Sequence, residues 1–218
     1  MNILLVRHGE SEANVDKTIL LARPDHNIGL SEQGKRDAQR CGEFLKSWCP
    51  RERPMASWRM WHSPYKRAVQ TAKLVEVNSL PVVRDRKEHI LLGEQQFGLF
   101  DGIPDDELPS RFPLEDAHYK KHERFEGRFY ARFPLGESRF DVAARVHQAF
   151  GTFHRDAERH GIHDIIIVGH GVTLRAFVMM WCHKNVPWFE TEPNPLNCSV
   201  RWIDGDGEDR GYIYSGKR

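Results

Sequence analysis

Two short apolar runs, far apart in the chain, constrain its fold more than any other feature. Ile3-Leu4-Leu5-Val6 ends abruptly in Arg7-His8-Gly9, and Ile165-Ile166-Ile167-Val168 ends in Gly169-His170-Gly171. Continuous apolar runs of about four residues, without alternation, are expected of strands buried on both faces, as in a parallel sheet covered by helices. In such open α/β sheets, ligands are held just outside the carboxyl ends of the strands. The runs therefore predict two parallel strands, each delivering an imidazole at its carboxyl end. Adjacent strands would bring His8 and His170 together.

Taken alone, Arg-His-Gly is equally a turn at a strand end, because a single histidine is a weak signal. The second copy weighs against that reading. Arg7 offers a planar fork suited to phosphate oxygens, Gly9 would let the backbone approach a ligand closely, and Asn14 adds a polar donor a few residues on.

The intervening chain supplies helices to cover such a sheet. Ser31 is a candidate N-cap for a helix with Ala38, Cys41, Leu45 and Trp48 inward, stopping by Pro50. Trp58 to His62 reads as a strand, and Ser63-Pro64 as the cap and first-turn proline of a helix with Ala68, Ala72 and Val75 inward. Arg67, in the first turn of that helix, falls beside the same sheet edge as His8, although a lone helical arginine is ordinarily a solvated surface residue. Pro81-Val82-Val83 predicts a short strand. In the irregular segment that follows, Glu94 stands among apolar and glycine residues with no lysine or arginine adjacent. Such surroundings can keep a carboxyl protonated, though most loop glutamates are simply solvated.

Residues 103–136, rich in proline and aromatics, form an insertion that is either a helical lid over a site or a packed surface excursion. Ser138 and Asp141 make a capping-box pattern ahead of a long helix striped by Val142, Val146, Ala149, Phe153 and Ala157. Ser199 to Ile203 and Tyr212 to Tyr214 should pair as a closing hairpin. Its Asp204–Glu208 connection superficially matches a calcium loop, but the glutamate comes too early for the ligand spacing, which favours a turn.

At 218 residues, the expectation is one domain spanning 1–218. A hydrophobic share of 39% with 29% charged residues suits a soluble globular protein. The formal charge of +1 gives no reason to expect nucleic acid or a membrane surface as partner. No apolar segment approaches the roughly 18 residues of a membrane span. The first strand follows Met1 without a basic and apolar leader, so a cytosolic protein is expected. Cys41, Cys49, Cys182 and Cys198 form no C-x-x-C pair and read as reduced residues.

Two histidines, two arginines and an isolated glutamate at the strand ends of one sheet admit several chemistries. A metal centre is the first to weigh, because histidine is a common ligand. Two fixed cations would repel a divalent ion and suit an anion instead, with phosphate the natural guest.

Leu5-Val6-Arg7-His8-Gly9-Glu10-Ser11 resembles the signature of the histidine phosphatase superfamily, the phosphoglycerate-mutase-like proteins. Further segments resemble it in the same order: Gly29 to Gly34, Ser63 to Ala72, Glu94 to Gly98, and Val168 to Gly171. The resemblance implies a three-layer α/β/α sandwich with a mostly parallel central sheet and a helical lid insertion. It implies that His8 is the nucleophile, forming a phosphohistidine, and that Arg7, Arg67 and His170 hold the phosphoryl oxygens with Asn14 and Gly171 assisting. Glu94 would protonate the leaving oxygen and later take a proton from water. A covalent intermediate divides one hard step into two, and fixed positive donors stabilise a transferring phosphoryl group without a metal or other cofactor.

The sequence departs from the family at Gly93, where many relatives carry a charged or polar residue. It also lacks the continuation after Phe97-Gly98, and the arginine pair in the lid, by which glycolytic mutases grip a second phosphate. Phe129 to Ser138 instead resembles the phosphatase branch. The expected activity is metal-independent hydrolysis of small-molecule phosphate monoesters, with mutase-type phosphoryl transfer as the alternative. A non-catalytic module that only binds a phospho-ligand is a third reading, disfavoured because a binder needs no proton donor.

Overall fold

The apolar runs form the centre of a six-stranded sheet. In a computed structural model describing residues 1–53 and 57–216, the strands are β1 (Asn2–Arg7), β2 (Trp58–His62), β3 (Val83–Glu88), β4 (Asp164–Gly169), β5 (Val200–Ile203) and β6 (Asp209–Tyr214). Among the described residues, the helices are α1 (Glu12–Val15), α2 (Glu32–Glu52), α3 (Lys66–Asn78), α4 (Leu108–Arg111), α5 (Pro113–Glu126), α6 (Arg139–His160), α7 (Gly171–Trp181) and α8 (Val186–Thr191). The sheet order is β3-β2-β4-β1-β5-β6. The first four strands are mutually parallel, and β5 is antiparallel to both β1 and β6. β1 and β4 are neighbours in register, Arg7 opposite Gly169, so their carboxyl ends stop side by side.

Side chains alternate across a strand, and each face of the two central strands is apolar. Leu4, Val6, Ile166 and Val168 pack with Ala38, Cys41 and Leu45 of α2 and Ala68, Ala72 and Val75 of α3. On the other face, Ile3, Leu5, Ile165 and Ile167 pack with Val142, Val146 and Phe153 of α6 and Phe177 of α7. Burial on both faces produces the expected three-layer α/β/α sandwich with its mostly parallel sheet. Ser31 caps α2 through the Gly34 amide at 2.9 Å, and the Ser138–Asp141 capping box starts α6. The hairpin closes as expected, with the Asp204 carboxylate accepting from the amides of Asp206 and Glu208 and from Arg210. Among the described residues no helix is long and apolar enough to cross a membrane.

Three boundaries differ from the sequence expectation. α2 does not stop by Pro50 but runs through it to Glu52, although an interior proline loses its donor and crowds the carbonyl four residues back. The buried Trp48 and Cys49 hold that last turn on the core. α3 begins at Lys66 with no side-chain cap, because the Ser63 hydroxyl is engaged elsewhere. The strand expected at residues 81–83 begins only at Val83 and continues through charged residues to Glu88. The Val82 amide closes a turn onto the Ser79 carbonyl, and an edge strand tolerates charges that a central one does not.

Candidate active site

β1 delivers His8 beside β4, its backbone N–H donating to the Gly169 carbonyl at 2.9 Å. The His8 and His170 rings lie 5.0 Å apart, centroid to centroid, so the two imidazoles meet as the paired runs predicted. Both are buried. His8 Nδ1 donates to the Gly9 carbonyl at 2.7 Å, which fixes the tautomer and leaves Nε2 as the lone-pair nitrogen. Burial, reinforced by the nearby charges of Arg67 and Arg7, holds His8 well below the ordinary histidine range. The same forces, together with His8 itself, depress His170.

Gly9 serves a closer neighbour than a ligand. A Cβ on it would lie 2.5 Å from the Gly34 carbonyl oxygen, and a Cβ on Gly34 would lie 2.0 Å from that of Glu10. The paired glycines let the histidine-bearing loop lie directly on the amino end of α2. The Gly9 amide donates to Thr71 Oγ1 at 3.0 Å, and that hydroxyl donates to the Arg67 carbonyl at 2.7 Å. This ties the His8 loop to the first turns of α3.

Arg7 and Arg67 are both brought to the sheet edge. Arg7 donates from Nη1 to the Pro195 carbonyl at 2.5 Å, while its Nε is buried with no acceptor. Burial lowers its pKa, opposed by the charge of Glu94. Arg67 is buried, against the usual habit of a helical arginine. Its guanidinium lies 5.1 Å from the Tyr65 ring centroid and is paired with Asp25.

His170 Nε2 lies 2.7 Å from Ser63 Oγ. Ser63 Oγ also accepts from the Tyr65 amide at 3.2 Å. The other ring nitrogen, Nδ1, is buried with no hydrogen-bond partner. The serine read as a helix cap is thus a support for the second histidine.

Glu94 is placed beside α7, but in surroundings unlike those its sequence neighbours suggested. Its Oε1 accepts from the Gln95 amide at 2.9 Å and from the Thr173 amide at 3.2 Å, while the Thr173 hydroxyl donates to the Gly93 carbonyl at 2.6 Å. Oε2 accepts from the Val172 amide at 3.3 Å. The Val172 and Thr173 amides lie at the amino end of α7, and Arg145 donates to the Glu94 carbonyl at 3.0 Å. The local sequence shows no arginine, since Arg145 is 51 positions away. Arg145 also grips Glu137 at 2.8 Å, whose backbone is laced to Gln95 and Gln96.

Asn14 lies near the site but is occupied as the far member of a capping box with Ser11. Asn197, which the sequence reading missed, reaches over it, donating to the His8 carbonyl at 2.9 Å and to Asn14 Oδ1 at 3.4 Å. Gly171 opens α7, where a Cβ would meet the Asn194 side chain at 2.9 Å. Asn194 and Asn197 belong to the irregular segment before β5, and nothing local in the sequence marks them. The arrangement brings two arginines and two buried imidazoles to neighbouring strand ends, a set of groups that can hold an anion.

The sequence model of the histidine phosphatase superfamily (branch 1) matches residues 3–213. The Arabidopsis thaliana phosphoglycerate mutase-like protein AT74 is 35% identical over 95% of this chain, which spans 66% of that relative's length. The Saccharomyces cerevisiae broad-range acid phosphatase DET1 is 25% identical over 97% of this chain and 87% of its own. Among solved structures, the α-ribazole phosphatase from Shigella flexneri covers 100% of this chain and 96% of its own at a TM-score of 0.73 and 21% identity, a likeness of fold.

Proposed function

The chain belongs to the histidine phosphatase superfamily, branch 1, and from that premise we propose that it hydrolyses small-molecule phosphate monoesters through a phosphohistidine on His8. In this reading, residues 1–218 are one catalytic domain and 103–136 its lid. The observation that carries the proposal is the setting of His8: a buried imidazole at the end of β1, oriented through Nδ1 so that Nε2 carries the lone pair, with burial and the charges of Arg67 and Arg7 disfavouring its protonation. A nucleophile must offer a lone pair, and this one keeps it at pH values where a solvated histidine would be half protonated.

The substrate phosphoryl group would be held by Arg7, Arg67 and His170, with Asn14 and the Gly171 end of α7 alongside. His8 Nε2 attacks phosphorus, a P–N bond forms, and the bond to the ester oxygen breaks. Glu94 gives its proton to the departing alkoxide. Water then attacks the phosphohistidine while Glu94 takes its proton, releasing inorganic phosphate and restoring His8. Fixed cations and amides supply the charge stabilisation that a metal provides in other phosphoryl transfers. The phosphatase reading is supported by the lid, where the basic residues Arg111, Lys120, Lys121 and Arg124 are interspersed with acidic ones. Asp116, for example, pairs with Lys120 at 2.7 Å. Such a lid offers little spare charge for a second anionic group.

The test is a panel of phosphorylated metabolites incubated with a chelator, with released phosphate as the readout. Release that survives the chelator supports the proposal. Activity restored only by added zinc or magnesium, or efficient interconversion of 2- and 3-phosphoglycerate with little phosphate released, would overturn it.

A further inference from the structure

Arg67 does not wait for a phosphate with its guanidinium unengaged. Nη1 donates to Asp25 Oδ1 at 2.7 Å and to the Asp25 carbonyl at 2.8 Å, and Nη2 donates to Asp25 Oδ2 at 2.9 Å. Asp25 opens the 3-10 turn Asp25–Asn27, 42 positions before its partner. A guanidinium carries five N–H donors in a planar fork. Asp25 takes three, all along the Nη1–Nη2 side. The two that remain, on Nε and on the far side of Nη2, form the other edge, whose parallel donors match two oxygens of one phosphoryl group.

We propose that Asp25 is a positioning residue for phosphate capture, clamping Arg67 by one edge so that the opposite edge is preset for the phosphoryl oxygens. This rests on the phosphatase reading above and adds to it a residue outside the segments that resemble the family. The clamp is braced by an aromatic ring. The Tyr65 ring lies against the guanidinium. Asp101 is near enough to feel both partners: burial raises its pKa, the charge of Asp25 raises it further, and that of Arg67 lowers it. Arg67 is thereby held where thermal reorientation of a long side chain is restricted, which lowers the entropy lost when substrate docks.

The opposite function for the same contact is competition, in which the Asp25 carboxylate occupies donors that phosphate must win. The two differ in sign. If Asp25 positions Arg67, Asp25→Ala lowers kcat/KM for a monoester by about a hundredfold, the scale of misplacing a contact by about an ångström. It also weakens binding of inorganic phosphate measured by calorimetry, without turnover. Asp25→Asn, of nearly the same size, falls between wild type and Asp25→Ala and serves if the alanine variant does not fold. In an Arg67→Ala background, Asp25→Ala adds little further loss, because the two residues act as a unit. Phosphate bound as tightly or more tightly by Asp25→Ala or Asp25→Asn, or a full additional loss in the Arg67→Ala background, would overturn the proposal. Arg67→Ala with unchanged phosphate binding and turnover would remove the phosphatase reading of the site and the proposal with it.

Discussion

Holding two imidazoles neutral inside a cationic site has a thermodynamic consequence that can be measured without any substrate. His8 and His170 are both pushed well below the ordinary value of 6.5, first by burial and then by the arginines. Once the chain unfolds, each is free to take up a proton below that value. The unfolded state therefore binds more protons, and stability must fall as pH falls through 6.5 and below. Each imidazole carries roughly 1 to 2 kcal/mol between pH 7.5 and 5.5, so the pair contributes on the order of 3 kcal/mol. His62 and His89, also lowered chiefly by burial, add in the same sense. Most carboxylates titrate below this window. The assay is urea unfolding at a series of pH values in phosphate-free buffers, because an anion bound at the site would stabilise the folded state. Wild type should lose stability steeply from pH 7 to 5.5, and a His8→Gln, His170→Gln double variant should show a shallower slope. A flat or rising stability across the window, or the same slope in the double variant, would refute the reasoning.

Two further outcomes follow from the geometry. Glu94→Gln keeps the shape but cannot give up a carboxylic proton, so it should slow alkyl phosphates far more than nitrophenyl phosphate, whose leaving group needs no proton; an equal loss on both would remove Glu94 from the role. Gly34→Ala puts a Cβ 2.0 Å from the Glu10 carbonyl oxygen and must push the His8 loop off α2, costing about 1–3 kcal/mol of stability together with turnover, read by unfolding and by phosphate release; unchanged values in both would show that the loop yields freely.

The parts of the fold legible in the sequence were those that repeat a local physical pattern. The apolar runs of β1 and β4 declare burial on both faces, and their shared histidine endings declare where the site is. The charged β3 was misplaced because an edge strand lacks that pattern: its residues 84–88 are polar, and only pairing with β2 makes them a strand. At the site, the missing information was of one kind, contacts between residues distant in sequence. Ser63 looks like a cap until His170, 107 positions on, reaches its hydroxyl. Glu94 looks apolar in its surroundings until α7 and Arg145 arrive, and Asp25 looks like a loop acid until Arg67 folds onto it. Local composition reports the neighbours along the chain, whereas electrostatics at a strand end is set by neighbours in space.

The most direct measurement of the central claim is a trapping experiment on His8. After incubation with a turned-over monoester and a quench that avoids acid, intact-mass and peptide analysis should find one phosphoryl group, on the imidazole of His8. His8→Ala should abolish the adduct and lower turnover by at least about a thousandfold, because the covalent route is lost. A phosphoryl group on another residue, or a His8→Ala protein that turns over at near the normal rate, would contradict the mechanism.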